Sequence, residues 1–297
     1  MWAPRFACPE CSAELFGSNA DVCTCARCGN RYAQANGLWH FITPPRLERL
    51  APFLQQYRRV RGYDSRRRTS ADYYRGLPWV GPDDEHASEW QIRRETFAHL
   101  LRHLLAGAPA SIRILDLGAG NAWLSHRLAE LGHAVVAVDA LDDEADGLGA
   151  SKHYRARFAA IQADYDALPL APAQFDLVVF NGSLHYAPDP AGTIVAARRM
   201  LAGHGAIAVM DSPMFVRDAD GRAMVADKGL LEPGAGYLTF QSLDDVAETL
   251  GLRSEFIASR GTFRWRLGRR FGALRLGRAP AAFGLWIGWE REGFIRG

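Results

Sequence analysis

The chain has 297 residues, with 35 lysines and arginines against 33 aspartates and glutamates, and 48% of its residues are hydrophobic. That length holds one large domain and a small one, and the apolar content is that of a globular protein. No stretch reaches the roughly 18 uncharged apolar residues that a membrane crossing needs, and the N-terminus shows no apolar signal region, so a cytoplasmic location is the expectation.

All five cysteines lie between positions 8 and 28, which points to a local metal site and away from a disulfide framework. Cys8-Pro-Glu-Cys11 and Cys25-Ala-Arg-Cys28 are two Cys-x-x-Cys knuckles separated by thirteen residues. Each pair can wrap one side of a tetrahedral zinc ion, and so short a segment builds no core without one. Asn30 to Tyr32 and Leu38 to Phe41 look like the strands of a zinc ribbon over residues 1–45. Cys23 is the spare thiol; exchanging it for Cys25 costs the second knuckle its spacing. A redox pair is the other reading, but it needs only one Cys-x-x-Cys. A closed four-cysteine site serves structure or recognition and not catalysis.

Pro44-Pro45 ends this module, and residues 46–111 form a helical connector and possible lid. Arg46, Arg49, Arg58, Arg59, Arg61, Arg66, Arg67 and Arg68 share its first part with Leu47, Leu50, Phe53, Leu54 and Tyr57 at helix-like spacing. A solvated basic face explains them, as does an anion-binding surface. Residues 72–85 read as an irregular aromatic loop. Glu89 to Leu105 is a helix with an apolar stripe of Trp90, Phe97, Leu100, Leu101, Leu104 and Leu105.

From Ile112 a buried strand runs to Leu117, breaks in Gly118-Ala119-Gly120 and gives way to Leu124, Leu128 and Leu131 at helical spacing. A second strand, Ala134 to Val138, closes on Asp139. This strand–glycine turn–helix–strand unit suits an adenosine-containing cofactor: glycine lets the backbone come close, and the acid accepts from ribose hydroxyls. A dinucleotide fingerprint has a third glycine against the pyrophosphate, but position 122 is Ala and no phosphate-binding residue follows. Strands at Phe158–Ala163, Phe175–Phe180, Ala206–Met210, Leu252–Ile257 and Phe283–Trp289 alternate with helices at Thr193–Leu201 and Phe240–Leu250. Such alternation predicts a doubly wound parallel sheet over residues 112–297.

Asp116-Leu117-Gly118-Ala119-Gly120 resembles the first motif of class I S-adenosylmethionine (SAM) methyltransferases, and the following motifs fall in that family's order, type 11-like. The resemblance implies an α/β, Rossmann-like, seven-stranded sheet. It places Asp116, Gly118, Ala119 and Gly120 by the methionine tail and Asp139 with Ala140 at the ribose. Asp164 and Tyr165 meet the adenine, and Asn181 lies where the chain passes the sulfonium. Ala122 stands in for the third glycine, a tolerated small residue. Zinc ribbon before catalytic domain is also the layout of bacterial ribosomal-RNA guanine-N1 methyltransferases. Leu184-His185-Tyr186 looks more like small-molecule methyltransferases, and Asn181-Gly182-Ser183-Leu184 departs from the Asn/Asp-Pro-Pro-aromatic run of amino-group methylators.

Methyl transfer needs donor and acceptor held in line and, for a neutral acceptor, a proton removed. His185, Tyr186 and Asp211 are the catalytic candidates, His185 as a base. His185 also reads as a loop-orienting residue, and Asp211 with Ser212-Pro213 as a loop-ordering turn. Arg260, Arg264, Arg266, Arg269, Arg270, Arg275 and Arg278, interleaved with Phe263, Trp265 and Phe271, precede the last strand without an acid. The fold sets this connection on the ligand-binding edge, so an anionic or aromatic acceptor, small metabolite or RNA, is expected. A basic amphipathic helix covering the sheet end is the plainer reading. A non-catalytic adaptor with a degenerate SAM domain is the alternative from another class.

Overall fold

The computed structural model describes residues 2–19, 21–63, 70–228 and 236–290. Arg66, Arg67 and Arg68 of the first arginine cluster lie outside the described residues, as do the side chains of Arg59, Arg61, Arg264 and Leu274. In chain order the elements are β1 (Phe6–Ala7), β2 (Glu14–Leu15), β3 (Gly17–Asn19), β4 (Val22–Thr24), β5 (Arg31–Ala35), β6 (Leu38–His40), α1 (Pro44–Tyr63), α2 (Ala71–Gly76) and α3 (Ala87–Leu100). Then come β7 (Arg113–Leu117), α4 (Trp123–Glu130), β8 (Ala134–Asp139), β9 (Ala159–Gln162), β10 (Phe175–Asn181), α5 (Pro190–Arg198) and β11 (Leu201–Met210). The chain finishes with β12 (Met214–Phe215), α6 (Asp218–Lys228), β13 (Leu238–Thr239), α7 (Phe240–Thr249), β14 (Leu252–Ala258), α8 (Phe263–Arg275) and β15 (Gly284–Glu290).

Two compact units result. The first holds residues 1–75, 110–178 and 196–205. Its sheet runs β10-β7-β8-β9-β6-β5-β4-β3, with β7, β8, β9 and β6 parallel and the ribbon strands antiparallel. β7 and β8 are near-continuous apolar runs because both their faces are covered; Ile114, Leu115, Val136 and Val138 are fully buried. The ribbon is not a free appendage. Its strand β6 pairs with β9 through Leu38↔Ala160, Trp39↔Ile161 and His40↔Gln162. Gln174 grips Arg5 at both main-chain groups, accepting from its N at 2.9 Å and donating to its O at 3.0 Å. Phe6, Tyr32, Trp39 and Phe41 form a ring cluster with centroids 4.8–5.8 Å apart. That cluster is the small module's own core.

The aromatic loop expected over 72–85 begins instead as helix α2. Tyr74 fixes it: the ring is buried, stacks on His153 at 4.8 Å and donates its hydroxyl to the Ala145 carbonyl at 2.8 Å. The helix expected to reach Leu201 ends at Arg198, and β11 starts at Leu201 with two glycines inside it. A buried strand tolerates these because tertiary pairing overrides a local preference. A β-carbon on Gly205 would stand 2.8 Å from the Asp176 carbonyl, so the neighbouring strand's approach is what demands glycine there.

The second unit holds residues 76–109, 179–195 and 206–297. Its strands are ordered β14-β15-β11-β10, the last two entering with their C-terminal halves. β15 runs antiparallel to both β11 and β14, against the all-parallel expectation. Ala258 pairs with Gly284, and Ser259 N–H donates to the Phe283 carbonyl at 2.9 Å, so the segment carrying α8 leaves and returns at the same strand end. It is a long hairpin connection, which cannot produce a parallel neighbour. Phe215, Met224, Tyr237 and Ala281 form a core cluster of this unit, with Val225 and Phe283 packed on it.

Candidate active site

In the first unit the turn after β7 is tied to β8 at two points. Gly118 and Ala119 N–H both donate to the Val138 carbonyl, at 2.8 and 3.0 Å, and Gly120 N–H donates to Asp139 Oδ2 at 2.7 Å. Gly118 and Gly120 have φ of 73° and 54°, values that favour glycine. Ala122 shares the left-handed region at φ 59° and caps α4 without a side-chain bond. The second oxygen of Asp139 accepts from Leu141 N–H at 2.8 Å. Burial, opposed by these backbone bonds, pushes Asp139 up to about 6.

Asp116, one residue before the end of β7, is fully buried. Its Oδ2 accepts from Ser125 Oγ at 2.7 Å, whereas its Oδ1 has no partner. Burial first, and the charge of Asp139 as well, raise it to about 7. The glycine turn is therefore lined by two carboxyl groups that repel each other. A phosphate there meets like charge; an ammonium or sulfonium with ribose hydroxyls meets complementary charge and acceptors. These carboxyl acceptors suit the ammonium and ribose hydroxyls of SAM better than a pyrophosphate.

The segment after β8 folds back tightly. Asp143 Oδ1 accepts from Ala145 and Asp146 N–H at 3.0 and 2.9 Å, an Asx turn. The Ala140 carbonyl accepts from Gln162 Nε2 at 3.2 Å. Asp164 opens a short 3-10 turn through Tyr165–Ala167. Arg46, at the start of α1, donates to its Oδ2 at 2.9 Å, with both side chains only 16% exposed. Asp164 is thus already bound by a guanidinium; its Oδ1, which accepts from Asp166 N–H at 3.3 Å, keeps lone-pair capacity.

The four thiols of the ribbon converge as their spacing predicts. The sulfurs of Cys8, Cys11, Cys25 and Cys28 all lie within 4.8 Å of one another, with Cys8–Cys28 at 3.5 Å and Cys11–Cys25 at 3.4 Å. A tetrahedron with bonds of about 2.3 Å has edges of about 3.8 Å, so zinc fits this cage. The two knuckles share a geometry: Ser12 N–H donates to the Cys8 carbonyl and Gly29 N–H to the Cys25 carbonyl, and both residues have positive φ. Cys23 is buried outside this group.

The second unit carries the remaining candidates. Asn181 ends β10 with its Oδ1 buried and unpartnered. His185 is buried, its Nδ1 lies 3.1 Å from Ser212 Oγ, and its ring packs 4.1 Å from Tyr186. Burial pushes the imidazole down to about 3, so it is neutral across the physiological range. Asp211 follows β11 with φ 52°. Its Oδ1 accepts from Thr96 Oγ at 2.6 Å, and Thr96 Oγ lies 2.7 Å from Ser259 Oγ, while Asp211 Oδ2 is buried without a partner. Burial raises Asp211 to about 6, against the pull of the Thr96 bond and the Arg93 charge.

Sequence reasoning named Asp211 and the Ser212 that follows it but not Thr96 or Ser259, single hydroxyls that carry no pattern. Nor did it name Arg46 as the partner of Asp164, which lies 118 positions away. The Asp143 turn had a local signal, an aspartate four residues before Gly147. Of the second arginine cluster, Arg269 serves α8's own seating: its guanidinium lies 4.4 Å from the Trp265 ring and 4.9 Å from Phe283, and donates to the Ala281 carbonyl.

A family model described as a methyltransferase domain matches residues 115–209, the stretch that contains the glycine turn, Asp139, Asp164 and His185. This stretch is a class I SAM-dependent methyltransferase domain. The chain is 35% identical over 177 residues to a malonyl-[acyl-carrier protein] O-methyltransferase of Enterobacter lignolyticus, covering 57% of this chain and 66% of that protein. A protein of the same description from Pseudescherichia vulneris is 32% identical, over 42% of this chain and 47% of its own. A ubiquinone biosynthesis O-methyltransferase of Ruegeria sp. is 33% identical, over 35% and 43%. The chain thus spans between 43% and 66% of the length of these relatives. Among solved structures, a chain of the complex between the Haloferax volcanii Trm112 methyltransferase activator and a methyltransferase aligns with TM-score 0.51 and 16% identity, over 73% of this chain and all of that one. That likeness concerns the fold. No described helix is long and apolar enough to cross a membrane.

Proposed function

We propose that this protein transfers a methyl group from SAM to a hydroxyl oxygen of a small-molecule acceptor, and that its ribbon holds a structural zinc ion. Bound SAM supplies an activated methyl group on sulfur. In this reading Asp116 takes the cofactor's ammonium with its unpaired Oδ1, the Gly118–Gly120 turn accommodates the tail, and Asp139 accepts from the ribose hydroxyls. Asp164 and Tyr165 border the adenine, with Arg46 fixing the orientation of Asp164. Cys8, Cys11, Cys25 and Cys28 hold the metal, which braces β1–β6.

The observation that carries the acceptor class is the buried, unpartnered Asp211 Oδ2. A carboxyl group pushed up to about 6 by burial is a base matched to neutral pH, anchored through Oδ1 by Thr96 and left without a hydrogen-bond partner at Oδ2. It suits an acceptor that brings a proton, a hydroxyl, better than one that is already a carboxylate and would be repelled. Asn181 Oδ1 is a second buried acceptor without a partner. His185, neutral and bonded to Ser212, orients the loop after β10 in this reading, and Tyr186 packs against it. O-methyl transfer is also what the names of the relatives describe.

The test is transfer of labelled methyl from SAM to a small-metabolite extract and, in parallel, to total RNA. Label in a base-stable methyl ether among the metabolites is expected. Asp211→Asn, which keeps the Thr96 bond and tolerates the backbone angle, should lower kcat by roughly 10²–10⁴-fold with SAM affinity within about twofold. Label on RNA, or full activity of Asp211→Asn, contradicts the proposal. Failure to bind SAM at all revives the adaptor reading.

A further inference from the structure

α8 exposes apolar side chains that have no part in the proposed SAM cradle. Phe263, Leu267 and Phe271, at positions i, i+4 and i+8, are 70%, 42% and 60% exposed, and Leu276 just beyond the helix is 54% exposed. At 100° per residue Phe263, Leu267 and Phe271 span about 80° and form one stripe along the helix. Arg266 and Arg270 flank it on one side and Arg275 on the other, all exposed. The opposite side carries Trp265 and Arg269, which seat the helix on Phe283 and the Ala281 carbonyl. The outward stripe is therefore a surplus of apolar area on a helix already anchored by its other face. Between Glu255 and Glu290 the chain has seven arginines and no acidic residue.

We propose that α8 is an interfacial helix that seats on an anionic phospholipid surface. An apolar stripe bounded on both sides by cations suits a bilayer boundary: Phe and Leu enter the acyl region, and the guanidinium groups snorkel to the phosphates. Leu267, in the middle of the stripe, decides against a nucleic acid, since an aliphatic side chain offers bases no stacking platform whereas acyl chains accept it as readily as Phe. With thirteen residues the helix lies in the surface and does not span it. The inference rests on the surface of α8 alone and is independent of the acceptor.

The test uses the full chain with sedimented vesicles of phosphatidylcholine alone and of phosphatidylcholine with about 30% phosphatidylglycerol, a charge contrast set by the surface-potential argument. Binding to the anionic vesicles only, weakened by salt, is expected. The triple variant Phe263→Ser, Leu267→Ser, Phe271→Ser should bind at least tenfold more weakly, as should Arg266→Glu with Arg270→Glu. Both variants should keep the wild-type circular dichroism and SAM affinity, because none of these side chains is buried. Three results overturn the proposal: no binding to anionic vesicles by the wild type, equal binding by the serine variant, or preferential retention of RNA or an acidic carrier protein that depends on the arginines and ignores the serine substitutions.

Discussion

Asp139→Asn perturbs the cradle at its hinge. In the structure both carboxylate oxygens are used, Oδ2 by Gly120 N–H at 2.7 Å and Oδ1 by Leu141 N–H at 2.8 Å. Asparagine keeps one acceptor and turns an amide N–H₂ toward the other donor, leaving a buried N–H unsatisfied. That costs about 1–3 kcal/mol of stability, a fall of a few degrees in Tm for a chain of this size. The proposed ribose contacts suffer separately. Two hydroxyls donating to a charged acceptor contribute roughly 1.5–3 kcal/mol each; losing one and weakening the other amounts to about 2–3 kcal/mol, or roughly 30- to 150-fold in Kd. Calorimetric titration with SAM and with S-adenosylhomocysteine reads this directly, at a temperature where melting curves show both proteins folded. A variant that melts earlier yet binds both nucleosides within twofold of wild type shows that Asp139 braces the turn and holds no ribose, and the assignment of the cradle goes with it.

Burial holds Asp116 up at about 7 and Asp139 at about 6, and a cationic ligand favours their charged forms. SAM binding at pH 6.5 should therefore release protons, seen as a dependence of the binding heat on buffer ionisation enthalpy; no dependence refutes the point. His185 is depressed to about 3 from 6.5, so between these values the unfolded chain binds the extra proton, and the stability this group contributes is present above pH 6.5 and lost as pH falls. His185→Gln should accordingly lose less stability than wild type between pH 7 and 4.5 in urea unfolding; parallel losses contradict this. Removing metal with a chelator, or Cys8→Ser, should lower Tm and weaken SAM binding, because β6 borders β9 and Arg46 follows the ribbon. The metal-to-protein ratio from atomic spectroscopy should be about one, as a four-cysteine site implies. Arg46→Ala leaves Asp164 without its ion partner and should cost about 1 kcal/mol and loosen the adenine side, read as a several-fold rise in SAM Kd at unchanged secondary structure.

Local pattern carried the parts of the fold that local physics decides. The β7 turn was legible because a fully buried strand, two glycines at positive φ and a strand-tip acid leave few alternatives, and the knuckles because Cys-x-x-Cys spacing sets the sulfur geometry. What escaped depends on partners distant in sequence. Nothing in Leu38-Trp39-His40 announces that it pairs with Ala160 to Gln162, and a hairpin that encloses a helix hides the antiparallel sense of β15. The web joining Thr96, Asp211 and Ser259 assembles hydroxyls up to 163 positions apart. Tyr74 was visible as an aromatic residue, but its role as the anchor of α2 needs the Ala145 carbonyl and the His153 ring beside it.

The most direct measurement is a crystal structure of this chain with S-adenosylhomocysteine. Ribose hydroxyls at Asp139, the tail at Gly118 to Gly120 and the ammonium at Asp116 Oδ1 are the predicted result. Nucleoside bound away from that turn, or a turn that accepts a pyrophosphate instead, would contradict the central claim.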